Sequence, residues 1–565
     1  MAFQLSPGVN VSEIDLTTIV PTVASSIGAF AGPFAWGPIG VVTTISDETR
    51  LVEKFGKPDS TVYEYWYSAA NFLAYSNNLK VVRAASIAST KNAVANGAGA
   101  LIKNDDDWLS NFSSGANTHG EFAARYAGAL GNTLKVSMAD ANTFSGWAYS
   151  SQFTTSPSTS DYVSNQSGAN DEIHIVVVDE DGKFTGTAGT VLEKYGFVSK
   201  AADAKDESGN SIYYKNIIAN KSKYIHWLSH PTANGGASYA NSSSNWGSNA
   251  SGVNFTKLAA NVTISLIGGA DGTVSSANTV TAYNYFSNPE AVEVNLIVGG
   301  PGDATVAGSL ITLAEARKDA LTFLSPLKAD AVDNAGSEAT DILSYRAGLS
   351  SSSYAVLDCN WKYQYDKYND VYRWVPLSGD IAGLCARTDQ QRDPWFSPGG
   401  LNRGIIKNVI KLAWNPTSAE RDDLYSQGVN PVVTFQGEGT LLYGDKTLLN
   451  RPSAFDRINV RRLFIVLEKA ISKAARFSLF EFNDQFTRAS FVNLVEPYLR
   501  DVQGRRGIYD FRVVCDESNN TADIIDRNEF VGDIYIKPAR SINFIQLNFV
   551  AVRTGVSFDE IVGKF

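Results

Sequence analysis

Cysteine and histidine are scarce in this chain of 565 residues, which has three of the first and four of the second. Cys359, Cys385 and Cys515 form no Cys-x-x-Cys pair, which excludes a disulfide framework and a zinc knuckle. Of His119, His174, His226 and His230, only the last two stand four apart, the spacing of metal ligands on one helix face. No Asp, Glu or Cys beside them completes a ligand set, so they read as packing histidines and no metal is expected. Positive charge is also in deficit: 48 Lys and Arg against 58 Asp and Glu leave a net charge of −10. That excludes the basic footprint of a nucleic-acid binder. No apolar run is long enough to span a bilayer, and the N-terminus lacks the layout of a signal peptide. The expectation is a chain made in a reducing cytoplasm, with no membrane insertion.

The signatures of catalysis are missing too. There is no Gly-x-Ser-x-Gly elbow and no phosphate loop ending in Gly-Lys-Ser/Thr. Gly299-Gly300-Pro301-Gly302-Asp303 follows a strand, but Pro301 and the want of a later Lys make it a strand-to-helix turn. Gly444-Asp445-Lys446-Thr447 lacks the preceding glycines and reads as a loop. Acidic residues are scattered rather than gathered into a calcium loop. Sequons at Asn111, Asn220 and Asn241 have no export signal to give them meaning. No catalytic residue and no cofactor is expected.

What is present is a large globular chain. Hydrophobic content of 44% and charged content of 19% are globular values, and the length calls for about three or four domains. The ends are the most telling. Ile545, Leu547, Phe549 and Ala551 alternate with Gln546, Asn548, Val550 and Val552, the period of a half-buried strand. Pro538 separates that stretch from a first strand at Ile534 to Ile536. Near the N-terminus, Pro7-Gly8 is followed by the short alternating run Val9, Val11, Glu13. A terminal apolar strand without a partner invites other chains, so both ends read as arms that add strands to a sheet, in the same or another subunit.

Between the ends, strands are expected at Val41 to Ile45, Leu79 to Ala84, Thr133 to Met138, Ile173 to Asp179, Thr263 to Ile267, Val292 to Val298 and Ala320 to Leu324. Helices are expected at Ser46 to Phe55, capped by Ser46 or Asp47, at Glu64 to Asn77, and at Leu310 to Asp319. Ile217 to Trp227 reads as helical or mixed, and the Asn/Ser/Gly-rich Ala233 to Asn254 as a loop. This alternation predicts a partly parallel sheet. From about Ser353 charges and aromatics become dense. Asp456 to Arg476 is the clearest helix and Ala489 to Arg500 a second, followed by a strand at Gly507 to Cys515. On the first of these, Arg461, Lys469, Lys473 and Arg476 share a face. It reads either as a solvated surface or as a docking face for an acidic partner.

The C-terminal third resembles the tail sheath proteins of contractile, T-even-type bacteriophages. The resemblance is carried by the long runs Asn360 to Asp370, Arg373 to Leu377 and Asp380 to Asp389. It continues in Asn402-Arg403-Gly404, Tyr443 to Thr447, Phe455 to Leu463, Ile525 to Phe530 and Lys537 to Asn543. Leu5-Ser6-Pro7-Gly8 and Phe34-Ala35-Trp36-Gly37-Pro38 look like the family's opening, and the likeness is loose from about Ile87 to Ala291. It implies a fold of α/β plus α+β class in a multidomain chain. A conserved C-terminal α+β domain would carry extended N- and C-terminal β-arms, beside an α/β middle domain with inserted β-rich segments. The expected layout is an N-terminal arm at 1–22 joining the C-terminal domain and outer α/β domains at 23–350. The latter would carry a loop-rich insertion near 86–121 and a variable segment at 140–260. A conserved inner domain at 351–540 and a C-terminal strand and arm at 541–565 would follow. The protruding domain that larger relatives carry after the strand at Leu79 to Arg83 reads as absent or much reduced.

The resemblance further implies a virion component assembled in the host bacterial cytoplasm. Its copies would form a helical stack of rings around an inner tail tube protein, bounded by baseplate and tail terminator proteins. Contraction would drive the tube through the host envelope. On this reading Val9, Val11, Glu13, Ile545, Leu547, Phe549 and Ala551 are inter-subunit strand residues. Pro7, Gly8 and Gly555 are hinges, and Arg461, Lys469, Lys473 and Arg476 face the tube. The alternatives are a static self-assembling surface or tube protein, and an α/β enzyme, which would need a convergent site the sequence does not display.

Overall fold

In the computed structural model, which describes residue 20, residues 23–115, 118–231, 245–301 and 303–543, and residue 546, the strand Gly28–Gly32 runs through the middle of a seven-stranded sheet. On one side it pairs in parallel with Leu79–Arg83, and beyond that lies the antiparallel edge strand Thr43–Ile45. On the other side follow Leu296–Val298, Leu321–Leu324, Ala355–Asp358 and Val429–Asn430, all parallel. The strands are short, apolar and buried, as a sheet covered on both faces requires. The covering helices begin where capping residues stop the chain from continuing as a strand. Asp47 accepts from the Arg50 amide at 2.9 Å and Asp303 from the Val306 amide at 2.9 Å. Helices Tyr63–Leu73 and Ser378–Gln391 pack closely because a side chain at Gly379 would meet the Ser68 carbonyl oxygen at 2.1 Å, and one at Gly383 the Tyr75 ring at 2.5 Å.

An open parallel sheet whose strand order turns around leaves a crevice at the carboxyl ends of its strands, where α/β enzymes hold ligands. Here the start of helix Ser378–Gln391 occupies that ground. The Gly300 amide donates to Ser378 Oγ at 3.1 Å. The Leu377 and Ser378 amides donate to Ser325 Oγ at 3.1 and 2.9 Å, and Ser325 Oγ donates to Asp358 Oδ2 at 2.6 Å. Two of the amides that would bind an anion at a helix start are thus satisfied by the chain itself.

Between Arg83 and Leu296 the chain leaves the sheet and builds a β-rich insertion. Its four-stranded antiparallel sheet has the order Thr190–Ser199, Glu172–Asp179, Leu134–Ala139, Val262–Ser265. Alternate residues of Glu172–Asp179 enter two cores. Ile173, Ile175 and Val177 pack with Met138 and Trp227, whereas Val176 and Val178 pack with Trp147. A buried ion pair, Lys200 Nζ to Asp140 Oδ2 at 3.0 Å, lies beside this sheet. Residues 86–121 are mostly turns with one short helix, Asp105–Asn111, whose Trp108 packs on Ala123 and Leu228.

The described residues divide into two compact bodies, one ending at Leu479 and one beginning at Phe480. One expected boundary therefore moves. The division at 350/351 fails because Ala355–Asp358 and Val429–Asn430 are strands of the central sheet. Parallel pairing joins segments that sequence order keeps apart. His226 and His230, four apart in sequence, do not share a helix. Tyr214–Lys221 is helical, but His226 lies in the strand Ile225–Trp227, stacked on Trp108, and His230 Nδ1 is 2.5 Å from the Tyr214 hydroxyl.

Candidate functional site: a two-stranded sheet with open edges

The smaller body is built on one long helix, one short helix, Ala522–Asp526, and one pair of strands. Asp484 caps helix Gln485–Gly504 by accepting from the Thr487 amide at 2.8 Å. Phe491, Val495, Leu499 and Val502 recur at helical spacing and are its buried face. Strands Ile508–Val514 and Asp533–Pro538 pair antiparallel, with Phe511 opposite Ile536 and Val513 opposite Ile534. Phe530 meets the Phe491 ring edge-on at 5.5 Å, and a side chain at Gly532 would strike that ring at 2.7 Å. The side chain of Asn520 ties down the connection between the strands. It donates to the Val531 carbonyl at 2.8 Å and accepts from the Val531 amide at 2.9 Å.

Two strands make a marginal sheet. Among the described residues neither outer edge is paired with a further strand, the arrangement that invites strand addition. The strands also carry exposed rings, Tyr509 and Tyr535 at 67% and 60%, and Phe482 and Phe486 are exposed elsewhere on this body. Rings on the strands are suited to bury against an added strand. The sequence predicted the two strands and the helix, but not the exposed aromatics, whose spacing has no period. The expected arm residues Val9, Val11, Glu13, Ile545, Leu547, Phe549 and Ala551, and the expected hinges Pro7, Gly8 and Gly555, lie outside the described residues.

The expected basic face on helix Ile458–Ala475 is largely lost to the interior of the larger body. Arg461 is only 6% exposed. It donates to Ser353 Oγ at 2.7 Å and to the Tyr354 hydroxyl at 3.2 Å, and its guanidinium lies over the Phe455 ring at 3.9 Å. Lys469 pairs with Glu293 at 2.8 Å, and Lys473 approaches the same carboxylate at 3.6 Å. The lysines hold that carboxyl below its ordinary range. Lys473 remains half-buried and Arg476 exposed. Sequence spacing put the four cations on one face, yet that face packs against the body. The neighbouring Arg462 is buried with Asp389 at 2.6 Å; nothing in its spacing set it apart.

Among the described residues no group of three or more His, Cys, Asp or Glu is placed to share a metal ion, and no helix is long and apolar enough to cross a membrane. Three family models match the chain in succession. They are the tail sheath protein Gp18 domain III N-terminal region over residues 26–84, the phage tail sheath protein central domain over 272–448, and the phage tail sheath C-terminal domain over 450–551. The tail sheath proteins of Vibrio phage KVP40 and Enterobacteria phage T4 are each 34% identical to it. Those alignments cover 99% of this chain and 100% and 99% of theirs. Among solved structures, the sheath tail protein of Desulfitobacterium hafniense aligns over 94% of this chain and 100% of its own. Its TM-score is 0.53 at 13% identity. The helical sheath of the anti-feeding prophage in its contracted state covers 97% of this chain and 99% of its own, with a TM-score of 0.51 at 13% identity.

Proposed function

From the premise that this chain belongs to the phage tail sheath family, a structural and not an enzymatic family, and is a subunit of a contractile sheath, we propose that its copies are linked through the open sheet of the smaller body. Strands contributed by the segments 9–13 and 541–553 of neighbouring copies add to the two free edges. The observation that carries this reading is that Ile508–Val514 and Asp533–Pro538 pair with no further strand among the described residues, and that the second runs directly into the C-terminal segment. Each added main-chain hydrogen bond contributes about 1 kcal/mol net. The alternating apolar side chains at Ile545, Leu547, Phe549 and Ala551 set the register. A contact that passes from copy to copy without closing within one ring builds an open helical array.

Such links hold copies together while the larger bodies change neighbours. The extended array is then a kinetically trapped state, and contraction gains its free energy from interfaces between subunits. Pro7-Gly8 and Gly555 are the hinges at which the arms change direction. The array surrounds an inner tube and is bounded by baseplate and terminator proteins. Lys473 and Arg476 supply a weak, salt-sensitive grip on that tube.

Removing residues 1–19, or 541–565, tests the linkage. Either truncated chain should stay folded and fail to form cylinders in electron micrographs. Contractile cylinders from a chain lacking both segments would refute it. Reversing the charges of Lys473 and Arg476 should weaken assembly on tubes and spare tube-free polymer.

A further inference from the structure

The larger body holds a second recognition feature, remote in sequence from the terminal arms. A cavity of about 420 Å³ opens between helix Tyr63–Leu73, strand Trp361–Asp366 and residues 408–410. Its walls include Ala70, Leu73 and Ile410, which are apolar, and the amide side chains of Asn71 and Gln364. These two residues are only 3% and 4% exposed. Asn71 Nδ2 and Gln364 Oε1 nevertheless have no hydrogen-bond partner among the described residues. Leaving one buried polar group unsatisfied costs about 1–3 kcal/mol, and native proteins keep few such groups. Two on the walls of one cavity point to a partner that supplies what the fold does not.

The missing partner is defined by its chemistry. Asn71 Nδ2 donates and Gln364 Oε1 accepts. A metal ion calls for two acceptors and a phosphate for two donors. One donor beside one acceptor matches the carbonyl and the N–H of a peptide unit. The terminal torsions of Asn and Gln are soft, so both amides can turn toward a group entering the cavity. At its mouth the surface suits a polypeptide. Tyr365, Tyr372 and Ile410 are 46%, 54% and 55% exposed, and the two tyrosine rings lie 5.3 Å apart. Contiguous exposed apolar surface of this kind marks protein interaction sites.

We propose that this cavity is a socket for an extended, acidic segment of a second copy of this chain, read through its main-chain amide. Charge decides the occupant. Lys407 and Lys411 are exposed beside the cavity, whereas Glu48 offsets Lys367 at 3.1 Å. The chain itself carries net charge −10, with exposed acidic runs such as Asp105-Asp106. A subunit that works within a polymer of itself also meets its own copies at high effective concentration. The socket would serve as a contact between larger bodies, separate from the strand links of the smaller ones.

The test uses the full chain. Asn71→Leu combined with Gln364→Met replaces both amides by apolar groups of similar size. For amides that have no partner within the subunit, this change should leave the melting temperature of the unassembled protein the same or higher. Polymer yield should fall at least about ten-fold, the equilibrium factor of 1.4 kcal/mol at 25 °C. Normal polymer from a stably folded double variant overturns the socket, and shows amides bridged by water or simply unsatisfied. If the double variant does not fold, a photoreactive benzoylphenylalanine in place of Ile410 decides. Irradiated polymer should yield a covalent dimer whose cross-linked peptide is acidic and comes from a second copy. Cross-links within one copy, to a different protein, or none at all overturn the proposal. Because both variants keep the arms, loss of the arm linkage and loss of the socket are read separately.

Discussion

The two bodies differ in how far their aromatic residues are buried. In the larger, Trp66, Trp227, Trp361, Tyr214, Tyr283 and Phe30 are wholly buried. In the smaller, Phe491 is buried, but Phe482, Phe486, Tyr509 and Tyr535 face outward. The larger body has a sheet covered on both faces, and charges such as Lys362 and Asp380 paired in its interior at 2.9 Å. The smaller lays one long helix against two strands, and a two-stranded sheet is marginal on its own. The contrast teaches that one body covers its sheet within the subunit, whereas the other leaves a two-stranded sheet that, on the proposed reading, neighbouring copies extend.

The largest expected effect tests whether the larger body is self-sufficient. Asp380 accepts from Lys362 Nζ at 2.9 Å and from the Tyr75 hydroxyl at 3.0 Å. Burial pushes this carboxyl up and the Lys362 ammonium down, and each offsets the other's shift. Asp380→Ala strands a buried ammonium and should cost about 3–5 kcal/mol, seen as a lower melting temperature of the unassembled subunit. Next comes Phe491→Ala, which empties the centre of the smaller body at about 3–5 kcal/mol. Hydrogen exchange should then rise across 485–538 and stay unchanged in the central sheet. Exchange rising in both bodies would break the comparison.

A third, smaller effect concerns pH within the larger body. Burial pushes the Glu121 carboxyl from 4.5 up to about 7. The folded chain therefore holds a proton there that the unfolded chain has lost, and stability falls as pH rises from about 4.5 through about 7. Glu121→Gln should flatten that slope by on the order of 2 kcal/mol, measured as melting temperature against pH. Burial lowers His226 to about 3 and His230 to about 4. Their contribution has the opposite sign and is lost as pH falls below about 6.5. The smallest stability effect sharpens the contrast most. Tyr535→Ser, on the exposed face of the smaller body, should change subunit stability by less than about 0.5 kcal/mol, yet weaken polymer in a sedimentation assay.

Much of the fold was legible in the residues. Strands at Leu79–Arg83, Glu172–Asp179 and Leu321–Leu324 are short runs rich in Val, Ile and Leu, and helix Ile458–Ala475 has a clear 3.6 period. Thr190–Ser199 escaped notice because its half-exposed, mixed composition shows no clean alternation. The basic stripe misled because periodicity says which side chains share a face but not what that face meets. Asn71 and Gln364 carried no signal at all, since an amide without a partner is visible only when its surroundings are known.

Composition and local pattern by themselves determined that this chain is globular, poor in cysteine and short of catalytic motifs, and that long stretches of it match contractile sheath proteins. These properties reside in residue types and near-neighbour spacing. The tertiary structure alone decided that residues 355–358 and 429–430 join a sheet begun at residue 28, that Arg461 serves the interior, and that the last two strands meet no further strand among the described residues. The physical reason is that sheet pairing and burial are relations between distant segments, fixed by the packing of the whole chain.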